Sequence, residues 1–471
     1  MERTRRGRIS ILDKPIYQFR ARSRTALSLS AIGAIACFSA WAWGQGKPTT
    51  TYTAAGLGRR LFNDERFSTP KGDLPASCNH CHLFDEDPQG MRAHADFLSR
   101  SWVSYRLDDP RREELRNSPT LFDVSKMPRL HFDGEFTSLE DLVKGTLAGR
   151  PMGWLPSEKK EGLERIYSVA VADTGDAARP GSSYRDQFKQ VYGVDIQNLP
   201  HDQVVDWVAR AVADYMRTLN SDRTTPFDRF AAMNGLEPEP AKGEDAKAFG
   251  ERLLGRLSTL EGEGKLKYPK GFDSTALAGM KIFLRVEGSG SVGNCVACHV
   301  PPLFTDLSFH NMGVSQIEYD KLHGEGSFAA LEIPKADADR PIAQLREAPS
   351  RRKPGDVDLG HWNFVSLKSS PLRRPGEPDD QFLNRMIGTF KTPTLRHLRF
   401  TAPYMHNGAF STLRDALSEI ITMSEMARAG KIREADDDLA RIRIGESDIA
   451  PLIAFLNSLN QDLIRKREPS K

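Results

Sequence analysis

The chain has 471 residues, 39% of them hydrophobic and 27% charged, which is enough for about two to four domains with packed cores and excludes general disorder. Lys and Arg number 66 against 63 Asp and Glu, and the excess sits in the leader, where Arg3, Arg5, Arg6, Arg8, Lys14, Arg20, Arg22 and Arg24 face only Glu2 and Asp13. The rest is slightly acidic, so the basic residues carry no nucleic-acid signature.

Ala26 to Trp43 is an unbroken uncharged run behind that basic start. It has the pattern of a signal peptide, with Ala40-Trp41-Ala42 as an A-x-A cleavage site, or of a short anchor with its basic end in the cytoplasm. The run is long for one and short for the other, so residues 1–46 are expected to be a leader, cleaved or kept as an inner-membrane anchor. Cys37 reads as a buried or discarded thiol. Lys47 to Thr53 is a polar linker.

Cys78-Asn79-His80-Cys81-His82 and Cys295-Val296-Ala297-Cys298-His299 are two copies of C-x-x-C-H, the attachment signature of a c-type haem. The cysteines form thioethers with the haem vinyls, and His82 or His299 supplies the proximal imidazole. A zinc knuckle would need a second ligand pair that is missing, and a redox dithiol does not ask for the histidine. The expectation is two covalent haems, attached after export.

The chain also looks duplicated. Gly58-Arg59-Arg60-Leu61-Phe62 precedes the first motif and Gly279-Met280-Lys281-Ile282-Phe283 the second. Downstream, Pro119-Thr120, Asp133-Gly134 and Ser138-Leu139 recur at the same spacing as Pro393-Thr394, Asn407-Gly408 and Thr412-Leu413. The fold expected is mainly α: two cytochrome c-like haem domains, at 47–235 and 266–471, related by internal duplication. The stretch from Gln203 to Leu219 has helical apolar spacing and reads as a core helix, and Ile449 to Leu459 as a closing helix. Residues 236–265 read as a charged connector. Residues 315–388 read as a polar, Pro-rich loop insertion on the surface, with Arg351-Arg352-Lys353 a solvated basic run or a docking point for an acidic redox partner.

The stretches Asn294–Gly313, Phe390–Leu413 and Val208–Phe230 resemble the bacterial dihaem cytochrome c peroxidase and MauG superfamily, with Asn117–Leu139 matching more loosely. The resemblance implies a periplasmic helical protein in which one haem meets hydrogen peroxide and the other relays electrons. The donor it implies is a small cytochrome c or cupredoxin; in MauG-like members a protein side chain is oxidised instead. It also implies a calcium ion between the domains, at Asn117, Thr401 and Pro403, where a turn or capping role for Asn117 is equally open. A homodimer is a further expectation.

Three positions depart from the family pattern. The distal Glu falls on Met152, or on Pro151 with a one-residue gap. The interhaem Trp falls on Phe132, and the sixth-ligand position of the second haem falls on Ile420, with Met423 three residues on along nearly the same helical face. A carboxylate can carry a proton between the two peroxide oxygens; a thioether cannot, though it can ligate iron. His94, His131, Glu135 and Glu140 are the nearby groups that could take the proton, and His131, Glu135 and Phe132 are the catalytic candidates carried forward. Tyr404 and His406 match positions around the second haem, where hydrogen bonding to a propionate or the interdomain turn is the plainer role.

The sequence therefore predicts a periplasmic dihaem oxidoreductase that reduces hydrogen peroxide, with His82 and His299 as proximal ligands. Its rivals are MauG-like oxidation of a protein or organic substrate, and a non-catalytic electron carrier in which Met152 closes the first iron.

Overall fold

The computed structural model describes residues 51–72, 75–82, 106, 108–109, 116–179, 181–221, 223–335 and 340–461. The leader, Cys37 and His94 lie outside them. Among the described residues no helix is long and apolar enough to cross a membrane.

From Tyr52 onward the chain forms one compact, mainly helical unit. Its first half holds α1 (Ala54–Phe62), α2 (Cys78–Cys81), α3 (Leu139–Leu147), α4 (Lys159–Ala172), α5 (Tyr184–Tyr192) and α6 (His201–Met216). Helix α1 starts at Thr53, whose hydroxyl accepts from the Gly56 amide, satisfying one orphan donor of the first turn. It buries Leu57, Leu61 and Phe62 against α6, each apolar side chain worth roughly 1.5–3 kcal/mol. The two helices cross at Gly58, where a Cβ would lie 1.9 Å from the Ala211 carbonyl oxygen.

The second half runs through α7 (Pro226–Met233), α8 (Ala246–Gly262), α9 (Ser274–Leu284), α10 (Val314–His323), α11 (Asp379–Arg385), α12 (Leu413–Arg428), α13 (Asp437–Arg441) and α14 (Glu446–Asn457). Helix α9 crosses α14 at Gly279 as tightly as α1 crosses α6: a Cβ there would sit 1.9 Å from the Pro451 carbonyl oxygen. A two-stranded antiparallel ladder pairs β1 (Phe309–His310) with β2 (Phe390–Lys391), Phe309 facing Lys391 and His310 facing Phe390.

Two stretches differ from their sequence reading. Residues 236–265 are not a bare connector: they form α8, which buries Phe249, Leu253, Leu257 and Leu260 in the second core. Residues 315–388 are not simply a surface excursion, for Tyr319, Phe328, Leu345, Val357, Leu359, Trp362, Phe382 and Met386 make a core of their own. Those apolar residues lie far apart among prolines, glycines and charges, so no local period reveals them.

The matched motifs fold alike. Leu130 bridges Phe136 and Tyr404 bridges Phe410, both antiparallel. Within these hairpins His131 and Gly134 have φ of 63° and 74°, and Met405 and Gly408 have 69° and 64°. Ser138 then caps α3 through the Asp141 amide, as Thr412 caps α12 through the Asp415 amide.

Candidate active site

In both C-x-x-C-H motifs a short helical turn carries the cysteines, and the histidine amide donates back to the first cysteine's carbonyl: His82 to Cys78 at 3.0 Å, His299 to Cys295 at 2.8 Å. This turn keeps two sulfurs and one imidazole on a single side. The Nδ1–H of His299 donates to the Phe304 carbonyl at 3.0 Å, which fixes the tautomer and leaves Nε2 free for iron. Burial lowers the His299 pKa and keeps the ring neutral. The same enclosure pushes the Cys78 and Cys295 thiols up to about 12, the opposite of what a thiolate metal site or a redox dithiol needs.

Cys295, Cys298 and His299 open into a large cavity holding about 1930 Å³ of empty space, its solvent mouth included. The walls come from both halves of the chain: Leu121, Phe122, Leu130, His131 and Phe132 from the first, Met312, Phe390, Lys391, Tyr404, Met405 and Ile420 from the second. The mostly apolar lining and the oriented imidazole fit a covalently held haem.

Met423, the predicted axial ligand of the second haem, falls elsewhere. It is fully buried in a satellite core with Ile432, Leu439 and Ile442, and it does not line the cavity; Ile420 does. The three-residue step along α12 turns the thioether past the cavity wall. Met127, Met312 and Met405 are the methionines that line it. The sequence reading carried none of the three forward as a ligand, because none sits at the family's ligand position. Met152 is 2% exposed in the N-terminal core, against which Cys78 also packs, and it too lies off the large cavity.

Asn117 and Pro403 meet across the two halves. The Asn117 amide donates to the Pro403 carbonyl at 2.5 Å and its backbone N–H to the His406 carbonyl at 2.8 Å, while Oδ1 is buried with no partner among the described residues. Thr401 lines the same cavity. A stranded amide oxygen beside a backbone carbonyl is a donor set suited to a hard cation such as calcium. Tyr404 donates its hydroxyl to the Leu398 carbonyl at 3.0 Å, and His406 stacks on Phe390 with centroids 3.5 Å apart.

The 130–136 hairpin carries the densest charge. His131 Nδ1 is 3.1 Å from Glu135 Oε2, and the Arg346 guanidinium reaches the same oxygen at 2.6 Å and Asp133 at 3.2 Å. Arg116 is clamped between Asp133 and both oxygens of Asp358, the latter at 2.7 Å. Burial works against the Glu135 charge, but His131 and Arg346 outweigh it and hold the carboxyl below its ordinary value. Asp133 and Asp358 are lowered in the same way by Arg116. His131, Asp133 and Glu135 are close enough to share a metal ion, yet two guanidiniums already neutralise the carboxylates and leave little attraction for a cation. Glu140, the remaining described candidate, is ion-paired with Arg217 at 2.7 Å away from the cavity. Lys391, also on the cavity wall, donates to the Arg129 carbonyl at 2.9 Å; burial pushes its ammonium down to about 8 against the pull of Asp133.

Comparison with known proteins places this architecture. Residues 53–235 match the family model for di-haem cytochrome c peroxidase. The chain is 26% identical over 405 residues to the cytochrome-c peroxidase IdrP1 of Denitromonas iodatirespirans, covering 86% of this chain and 80% of that one. It is 23% identical over 427 residues to the methylamine utilization protein MauG of Methylophilus methylotrophus, covering 89% and 86%. In fold it is similar to the diheme peroxidase BthA of Burkholderia thailandensis E264, with a TM-score of 0.50, 19% identity and 86% of each chain covered. By its paired attachment turns and these relatives, the chain is similar to the bacterial dihaem cytochrome c peroxidases and MauG proteins, and its residues 53–235 match that family's model.

Proposed function

We propose that this protein is a periplasmic dihaem peroxidase that reduces hydrogen peroxide with electrons from a small cytochrome c or cupredoxin. Electrons enter at the haem held by Cys295, Cys298 and His299 and are consumed at the haem held by Cys78, Cys81 and His82. We infer likewise that the halves arose by duplication, with 315–388 inserted in the second. The observation that carries the reading is one cavity walled by both halves, with the second attachment motif opening into it and His131, hydrogen-bonded to Glu135, on its wall.

Haem iron, when bound, supplies peroxide coordination and one-electron chemistry. The residues of the chain supply the rest. His299, tethered to Phe304, holds its ring for ligation. Peroxide reduction takes up two protons with two electrons and gives two waters, so the first haem needs a proton carrier. His131, a first-half residue on the wall of the cavity between the halves, has Glu135 accepting from its Nδ1–H and keeps Nε2 to pass a proton toward that haem, in place of the family's missing glutamate. Phe132 offers an aromatic ring on the wall without an oxidisable indole, which favours peroxide reduction over side-chain oxidation. Asn117, Thr401 and Pro403 would hold a calcium ion that ties the halves together.

Steady-state turnover of peroxide with a reduced small cytochrome tests the reading. Donor oxidation in step with peroxide supports it; a purified dihaem protein that oxidises no donor overturns it. The burial of Met152 in the core that also packs Cys78 favours one second reading, a carrier with that thioether on the first iron. Met152→Ala would then open the haem to carbon monoxide.

A further inference from the structure

Segment 315–388 carries Arg346, Asp358 and His361 into the same charged cluster as the 130–136 hairpin. Arg346 grips that hairpin twice, its Nε on Asp133 at 3.2 Å and its terminal nitrogen on Glu135 at 2.6 Å. Asp358 grips Arg116, which in turn holds Asp133. His361 donates its Nδ1–H to the Asp133 carbonyl at 2.7 Å and stacks on Phe309 with centroids 3.8 Å apart. The turn between them has no slack: a Cβ on Gly134 would meet the Phe309 ring at 2.6 Å and the His361 ring at 3.2 Å.

Burying Arg116, Asp133 and Asp358, with Glu135 and Arg346 half-buried beside them, is costly. Ion pairs of this kind stabilise a fold poorly compared with apolar packing, whereas they fix geometry well. The geometry being fixed ends on His131, which holds a left-handed backbone with φ of 63° and lines the cavity. Its ring has one carboxylate partner, Glu135, and Arg346 fixes where that carboxylate stands.

We propose that Arg346 is a positioning residue: by bridging Asp133 and Glu135 it holds the Glu135 carboxylate against His131 Nδ1, so segment 315–388 forms part of the proton-handling apparatus of the cavity. This rests on the peroxidase reading given above. The charged groups facing Glu135 are His131 and Asp133 from its own hairpin and Arg346 from the opposite segment, with Arg116 acting through Asp133. Arg346 and His131 stabilise the Glu135 anion, while Asp133 opposes it. Lys would replace the charge of Arg346 but not its two-point grip, since an ammonium is a single point of charge.

The test compares Arg346→Met and Arg346→Lys with the parent holoprotein, and with Lys368→Gln, at an exposed lysine of the same segment, as the control. Turnover is followed across pH, with separate kcat and KM for the donor. The two-point grip predicts a kcat about tenfold lower in Arg346→Met, smaller than the loss expected for the proton carrier itself. It also predicts an unchanged donor KM, an acidic limb moved to higher pH, and partial rescue by Lys. An unchanged kcat and pH profile, with only a lower Tm, overturns the proposal. A second readout needs no turnover: diethyl pyrocarbonate labelling of His131, read by peptide mass spectrometry across pH. Its profile should shift in Arg346→Met and in Glu135→Gln but not in Lys368→Gln; a profile common to all four proteins sinks the positioning role. Should the parent turn over no peroxide, the peroxidase reading fails while the labelling still decides the role of Arg346.

Discussion

Gly279 and Pro451 touch at the crossing of α9 and α14 so closely that a Cβ on the glycine would stand 1.9 Å from the proline's carbonyl oxygen. Gly58 meets Ala211 in the same way in the first half. Each crossing lies one helical turn before a phenylalanine, Phe62 or Phe283, that is buried in its own half's core. Neither backbone carbonyl can move aside as a flexible side chain would. Gly279→Ala and Gly58→Ala should each destabilise the holoprotein by about 1–3 kcal/mol, the usual penalty of overpacking, read as a fall in Tm. An unchanged Tm in both would mean that the helices do not cross there.

The stranded Oδ1 of Asn117 predicts a response to calcium. Added calcium should raise the Tm of the chelator-treated protein. Asn117→Ala should abolish the rise, because a carbonyl pair without the amide oxygen has too few donors. If calcium leaves the parent's Tm unmoved, the amide oxygen serves no cation.

Acid should loosen the joint between the 130–136 hairpin and segment 315–388. The folded pKa values of Asp133, Glu135 and Asp358 lie below their ordinary values, so the unfolded chain takes up protons first as the pH falls. The stability these groups contribute is complete above about pH 4 to 5 and is lost progressively below it. His361, pushed by burial down to about 4, adds a loss that begins near pH 6.5, where the unfolded imidazole starts to charge. Asp358→Asn should cost about 3–5 kcal/mol at neutral pH, since Arg116 is left buried and half-paired, and should flatten the acid limb of a denaturation series. A variant with the parent's acid profile would contradict this.

The methionines on the cavity wall separate the axial-ligand candidates. Met423→Leu should leave the spectrum of the second haem unchanged, because that side chain packs with Ile432 and Leu439 rather than in the cavity. Met127→Leu, Met312→Leu and Met405→Leu are the substitutions placed to alter it, since those thioethers line the cavity. A spectral change in Met423→Leu alone would reverse the assignment.

What was legible in the sequence was local. The two attachment motifs and the recurrence of Pro119, Gly134 and Ser138 as Pro393, Gly408 and Thr412 each announce themselves through residue type and short spacing. Arg116 and Asp358 did not: they are 242 residues apart, and nothing near either one marks a buried ion pair. Arg346 was hidden for the same reason, inside a stretch whose charge suggested solvent. Counting along the chain pointed to Met152, whereas the pairing of His131, on the cavity wall, with Glu135 is braced by Arg346 from the far half of the chain.

The central claim is that one of two covalently held haems can take an outside ligand while its cavity delivers protons. Electron paramagnetic resonance of the ferric holoprotein, paired with carbon monoxide binding to the reduced form, addresses it most directly. The account predicts a high-spin component from one iron and carbon monoxide bound at that haem alone. Two low-spin irons, with neither reduced haem binding carbon monoxide, would contradict it.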